Sequence, residues 1–317
     1  MERTSDEQFR RGPILAALII GAFTALLSQT LLNVALPPMM EDLGIGANMV
    51  QWVQTGYMLV NGVLVPISAF LIHRFKARTL FLASVWLFLA GTVLCPFSPS
   101  FGVLMSGRIV QAAGAGIMMP LMTVVILNIF PVEERGKAMG LMGLSMIFAP
   151  AVGPTLSGWI VEHYSWRVLF YIVIPVSVVS LVFGYRFMKN VTKTSPQKLD
   201  PLGVVLSTLG FGGILYGFSD AGDAGWSDSV VIASLAVGAA ALLWFVLREL
   251  KAEKPLLEFR VFRYSMFSLT TLINVIVTMA MFSGMILLPI YLQTLRGFSP
   301  LEAGLLLLPG ALLMGIM

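Results

Sequence analysis

The sequence predicts an all-α polytopic membrane protein, and two observations carry that expectation. Hydrophobic residues fill 57% of the 317 positions and charged residues only 11%, about half the charged share of a soluble globular domain. The apolar residues also fall into runs close to the roughly 20 that cross a hydrocarbon core as a helix, which satisfies its own backbone in lipid. A chain so poor in charge needs the bilayer as part of its solvent.

The first run, 14–36, follows Arg10 and Arg11. It is too long for a signal-peptide core and reads as a retained first span. Further runs at 50–72, 79–97, 102–126, 137–160 and 167–188 are bounded by charge or by Gly and Pro. Four more, at 201–219, 229–248, 265–290 and 301–317, bring the expected count to ten helices. The last run stops at Met317 with no polar flank. A carboxylate at that membrane boundary is costly, so the natural protein is expected to continue.

Lys and Arg collect on alternate turns. With the amino terminus in the cytoplasm, the tail and the loops at 73–78, 133–137, 186–198 and 248–263 hold 17 of the 20. Arg167 and Arg296 fall on the opposite side, and Arg108 lies inside the fourth span. Cytoplasmic loops are the ones enriched in basic residues, so the amino terminus is expected inside. The net charge of +4 sits in these short loops and not on a solvated face, which excludes a nucleic-acid partner and leaves the lipid bilayer as the surrounding one. One cysteine, Cys95, rules out an internal disulfide, and it builds no zinc site with the scattered His73 and His163. No metal cluster, cofactor motif or nucleophile–base pair is visible, so an enzyme is not expected. Oligomeric state leaves no mark in the sequence.

Several polar residues lie where lipid would not tolerate them. A guanidinium in a helix interior costs about 2.5 to 3.5 kcal/mol on insertion scales, so Arg108 must be compensated. Gln111, one turn on, shares its face, and Ala112-Ala113-Gly114-Ala115-Gly116 lets a neighbouring backbone approach. Arg108 is either functional or a brace bonded to carbonyls. Gln29 and Asn33 in span one, and Gln54, Tyr57 and Asn61 in span two, follow helical spacing and look into the bundle, toward a ligand or toward one another. Span five carries Gly140, Gly143, Pro150, Gly153, Pro154 and Gly158, the composition of a kinked helix that packs closely. Thr278, Met281 and Met285 in span nine form soft surface suited either to apolar ligands or to ordinary packing.

Six segments carry a likeness to a known family. They are Leu32-Asn33-Val34-Ala35-Leu36-Pro37, Gln51 to Leu59, Arg108-Ile109-Val110-Gln111 with Gly114, and the span-five series Gly140, Ala149, Gly153-Pro154, Ser157-Gly158. Leu199-Asp200-Pro201-Leu202-Gly203 and Gly225-Trp226 complete the set. Together they resemble the major facilitator superfamily, and within it the fourteen-helix drug:proton antiporters of the EmrB/QacA type, similar to lincomycin-resistance-type exporters. The resemblance implies a major facilitator fold with a cytoplasmic tail 1–13, a six-helix bundle 14–188 and a linker 189–200. Two extra central helices at 201–248, a loop 249–264 and the first two helices of a second bundle at 265–317 would follow. It also implies a bacterial inner-membrane exporter of drug-like molecules working by alternating access, with a small-molecule substrate and protons as partners and no cofactor. Arg108 with Gln111 would serve proton coupling, and the span-five series would be the antiporter motif.

The departures are specific. Ser28 stands where the family carries an acid in span one, and His73, before Arg74, stands at the usual Asp of the loop after span two. No Asp or Glu lies in mid-span, and Glu302 at the mouth of span ten is the nearest candidate for a titrating group. Export of an endogenous metabolite, siderophore or lipid, or a truncated or non-transporting membrane protein, remain alternative readings.

Overall fold

Helix caps and glycine turns punctuate the chain where its apolar runs end. The computed structural model describes residues 11–192, 200–252, 255 and 257–316, and among these it contains ten α-helices and no strand. They are α1 (Arg11–Leu43), α2 (Ala47–Arg74), α3 (Ala77–Leu94), α4 (Phe101–Ile129), α5 (Val132–His163), α6 (Arg167–Phe187), α7 (Pro201–Ala224), α8 (Ser229–Lys251), α9 (Ser265–Ile290) and α10 (Pro300–Ile316). Eight of them, α1 to α8, are long and apolar enough to cross a membrane by length and composition, and α9 has a described apolar stretch from Ser265 to Met281.

The ten expected runs fall on these ten helices, but several helices are longer than their apolar runs. The loop expected at 133–137 is helical: α5 begins at Val132 and places Glu133 and Glu134 in its first turn. Carboxylates are favoured there by the helix dipole, a gain that hydropathy does not register. The 73–78 loop likewise shrinks to Phe75 and Lys76 between α2 and α3. Residues 1–10 of the expected tail and 193–199 of the expected linker lie outside the described residues.

Local signals explain the ends. Gly44 and Gly225, just past α1 and α7, have φ of 62° and 86°, which only glycine adopts cheaply. Asp228 caps α8 by accepting from Val230 N and Val231 N, and Asp200 caps α7 by accepting from Gly203 N ahead of Pro201.

One continuous core, from Ile14 to Met188, joins α1 to α6. Within it α1 packs on α2, α4, α5 and α6. Small residues set the closest approach: a Cβ added at Gly114 of α4 would lie 2.3 Å from Ser84 O of α3, and one at Gly116 would lie 3.0 Å from Leu64 Cβ of α2. The run 112–116 therefore brings neighbouring helices close, as its composition predicts. α7 and α8 form a hairpin with its own small core of Leu206, Ala241 and Phe245, closed by Leu257 and Phe259. The hairpin leans on α2, where the Trp52 and Tyr216 rings meet with centroids 5.8 Å apart and planes tilted by 38°. α10 lies along α5.

Candidate functional site

Arg108 is fully buried, and its surroundings show what replaces water. Nε donates to Val53 O of α2 at 3.2 Å, Nη1 donates to Gln111 Oε1, and the guanidinium sits 4.1 Å from the centroid of the Tyr57 ring. A ring face at that distance attracts a cation strongly when water is excluded. Gln111 extends the network, its Nε2 donating to Ser28 Oγ of α1 at 2.9 Å and to Thr92 Oγ1 of α3 at 2.8 Å. Ser28 thus occupies, as a neutral acceptor, the place from which a carboxylate would reach this network. Among the described residues, Arg108 Nη2 and the nearby helix α2 acceptor Gln54 Oε1 are buried without a hydrogen-bond partner.

The polar faces of α1 and α2 meet as their spacing predicts. Gln54 Nε2 donates to Asn33 Oδ1 at 3.0 Å and to Gln29 O at 3.3 Å. Gln29, Tyr57 and Asn61 also line a cavity of about 510 Å³ among α1, α2, α4 and α5, together with Thr123, Met58, Met119, Met142 and Met146. Its described lining carries no charged side chain. Asn33 and Gln54 sit behind that lining and hold it in place. The Met residues at 119, 142 and 146 carry no sequence signal of their own. Each is ordinary in an apolar helix, and only the approach of α4 and α5 shows them as one wall.

The span-five glycines divide. Gly153 packs on α1, where an added Cβ would lie 2.3 Å from Thr30 Oγ1. Thr30 Oγ1 donates to Ala149 O at 3.2 Å, and Ser157 Oγ donates to Leu31 O. Pro154 and Thr155 face the other way, onto α10: Thr155 Oγ1 donates to Gly304 O at 3.1 Å, and a Cβ at Gly304 would lie 2.7 Å from Pro154 O. Gly158 is buried in the same stretch, whereas Gly140 is exposed with no atom within 4 Å of an added Cβ. The second half of α5 is therefore clamped between α1 and α10. Gly304 carries no sequence signal of its own in a Leu- and Gly-rich run.

Five other sequence candidates, Thr278, Met281, His73, Arg74 and Glu302, lie apart from the cavity. Thr278 is exposed and donates to Asn274 Oδ1 at 3.0 Å in a shallow groove of α9. Met281 is half-buried on the same helix, and the side chain of Met285 is outside the described residues. His73 and Arg74 are exposed in the last turn of α2. Glu302 forms a capping box: its carboxylate accepts from Ser299 N at 2.8 Å, and Ser299 Oγ accepts from Glu302 N at 3.2 Å. The spacing Ser299-Pro300-Leu301-Glu302 is legible as that box from sequence. At the opposite end of the first bundle from His73, Asp42 accepts from Arg167 Nη1 at 2.6 Å and from Trp166 Nε1 at 3.0 Å, tying α1 to α6.

The Major Facilitator Superfamily pattern matches residues 18–317. The chain is 51% identical over 316 residues to YhcA, an MFS-type transporter of Bacillus subtilis (strain 168), covering 99% of this chain and 59% of that protein. It is 46% identical over 316 residues to the lincomycin resistance protein LmrB of Listeria monocytogenes serovar 1/2a, covering 100% of this chain and 67% of that one. Among solved structures, the crystal structure of the peptide transporter POT in complex with sulfate superposes with a TM-score of 0.64 at 14% identity, over 100% of this chain and 70% of that one. At that identity the likeness speaks to the fold alone. The chain spans 59% to 67% of the length of these two curated relatives.

Proposed function

The chain belongs to the Major Facilitator Superfamily, a multi-pass membrane transporter family, and we propose that it exports drug-like, amphipathic molecules by proton antiport with alternating access. The observation that carries the reading is the cavity: about 510 Å³, without charge in its described lining, with methionines from α2, α4 and α5 and the amide and hydroxyl groups of Gln29, Asn61 and Tyr57 from α1 and α2. Flexible thioethers accommodate varied apolar shapes, while a few fixed polar groups orient a ligand. The lincomycin resistance protein among the relatives supports the same substrate class. In this reading the protein sits in a bacterial inner membrane with its amino terminus in the cytoplasm, since the basic loops lie on that side.

Arg108 would act through its field. Its guanidinium does not release its proton in a protein, so it fixes a positive charge behind Tyr57 while a carboxylate elsewhere in the pathway carries the proton. Substrate and proton would then compete through a shared polar network of Tyr57, Gln111 and Ser28.

The test uses the full-length gene in a drug-sensitive bacterium, with everted vesicles to follow drug-driven collapse of a pH gradient. Wild type should confer resistance and proton flux, and Arg108→Ala should lose both while reaching the membrane in normal amount. Absence of drug-dependent flux in wild-type vesicles would overturn the export reading. Full resistance in Arg108→Ala would reduce Arg108 to a brace between helices.

A further inference from the structure

Three corners on one side of the helices carry Lys and Arg, and two of them are balanced by acid. Where α4 meets α5, Glu134 pairs with Arg11 at 3.1 Å, with Glu133 beside it. Where α7, α8 and the following turn meet, Asp200 pairs with Arg248 and Glu258 with Arg260, the latter at 3.7 Å. The third corner, where the α2–α3 turn meets the end of α6, has no acid of its own. The sequence contains no Asp or Glu between Asp42 and Glu133, and none between Glu162 and Asp200. It nevertheless gathers Arg74, Lys76, Arg78 and Arg186, none of which belongs to an ion pair among the described residues.

The packing makes these residues one patch. α3 lies against α6, and a Cβ added at Gly184 would lie 2.4 Å from Phe81 Cε1. Arg78 Nη2 donates to Tyr185 O at 2.8 Å, and its guanidinium lies 5.4 Å from the Tyr185 ring centroid. The first turn of α3 is thereby joined to the last turn of α6, with Arg74, Lys76, Tyr185 and Arg186 exposed around the joint. A second, independent feature lies at the same point. α3 starts without a capping side chain: Lys76 occupies the cap position, makes no cap hydrogen bond, and no acid stands in the first turn. A helix start offers free N–H groups and the positive end of the dipole, so cations there repel it and an anion relieves both.

We infer that this corner binds the phosphate of an anionic phospholipid headgroup. α2, α3 and α6 each cross a membrane by length and composition, which sets the corner at the bilayer surface, where that phosphate is the anion held closest. The free N–H groups of α3 and the side chains of Lys76 and Arg186 would take the phosphate oxygens, with Tyr185 at headgroup depth. The inference needs only that these helices span a membrane. It stands or falls apart from the export reading.

The purified full chain, returned to phosphatidylcholine nanodiscs doped with phosphatidylglycerol, provides the test, with retained lipid measured by native mass spectrometry. The variant Lys76→Gln/Arg186→Gln removes two exposed charges that hold no element together. Each basic side chain near an anionic surface is worth about fivefold in affinity, so phosphatidylglycerol retention should weaken about 25-fold at low salt. The difference should narrow as salt rises. Lys137→Gln/Lys251→Gln, at the two balanced corners, should retain the lipid as wild type does. Equal retention by wild type and Lys76→Gln/Arg186→Gln overturns the site, as does equal loss in the control pair. Displacement of the lipid by inorganic phosphate overturns the headgroup as its ligand in favour of a free anion.

Discussion

Gly153 and Gly140 belong to one sequence motif, yet alanine at the two positions should have opposite effects. At Gly153 the added Cβ would lie 2.3 Å from Thr30 Oγ1 and 2.9 Å from Thr30 Cβ. Rotating the Thr30 side chain moves the oxygen but not its Cβ, so α1 and α5 must separate by about 1 Å to restore ordinary contact. Separation also breaks the bond from Ser157 to Leu31 O and leaves the Thr30 hydroxyl, shared between Leu27 O at 3.1 Å and Ala149 O at 3.2 Å, on Leu27 O alone. Overpacking costs about 1–3 kcal/mol and the lost interhelical bond about 0.6 kcal/mol, against a gain of about 1 kcal/mol from alanine's helix propensity. The net expectation is a loss of about 1–3 kcal/mol for Gly153→Ala. Gly140→Ala meets nothing within 4 Å, keeps only the propensity term, and should be neutral or more stable by up to about 1 kcal/mol. Cys95 reports the outcome, because it is the single cysteine and is buried, so a thiol-reactive dye labels it only on unfolding. Thr30→Gly in the Gly153→Ala background removes both clashing atoms and should recover part of the loss. Indistinguishable melting of Gly153→Ala and Gly140→Ala, or no recovery with Thr30→Gly, would refute the α1–α5 clamp.

In a Cys95-free background, single cysteines at Lys76, Lys137 and Lys251 should resist an external impermeant thiol reagent while those at Gly46 and Trp226 react; labelling at Lys76 from outside would invert the topology. Glu302→Gln should keep the capping bond to Ser299 N and leave both stability and export unchanged, whereas loss of proton flux in a stable protein would make Glu302 a titrating group. Partial burial works against the Asp200 charge, but Arg248 and the Gly203 N–H outweigh it and hold the carboxyl below its ordinary range. A depressed folded-state pKa contributes stability above the unfolded value of about 4 that is lost as pH falls through the folded one. Protection from hydrogen exchange at the start of α7, taken relative to the intrinsic exchange rate at each pH, should therefore fall below about pH 4 in wild type, and Asp200→Asn should be less protected at neutral pH with no such acid step.

Membrane insertion and the positions of the ten helices follow from composition and run length, because in lipid the backbone has no alternative to the helix and hydropathy is a local property. The buried cation could be read in the same way. An arginine such as Arg108 within an apolar run requires compensation wherever the run packs, and its neighbour Gln111 is one turn away in the chain. The rest of the network is not local: Val53 and Tyr57, which meet Arg108, and Ser28 and Thr92, which meet Gln111, come from three other helices, and no periodicity pairs them. The charged start of α5 reads as a loop by hydropathy, which counts Glu133 and Glu134 as polar, whereas the helix dipole favours them there. The motif glycines illustrate the remaining division. Gly140 and Gly153 look alike in sequence, and only the approach of Thr30 on α1 leaves no room for a side chain at one of them. The cavity wall of Met119, Met142 and Met146, the clamp of Thr155 on Gly304 and the acid-free corner of Lys76 and Arg186 are likewise decided by which helix faces come together. That choice depends on close packing between helices that lipid leaves equally apolar on every side.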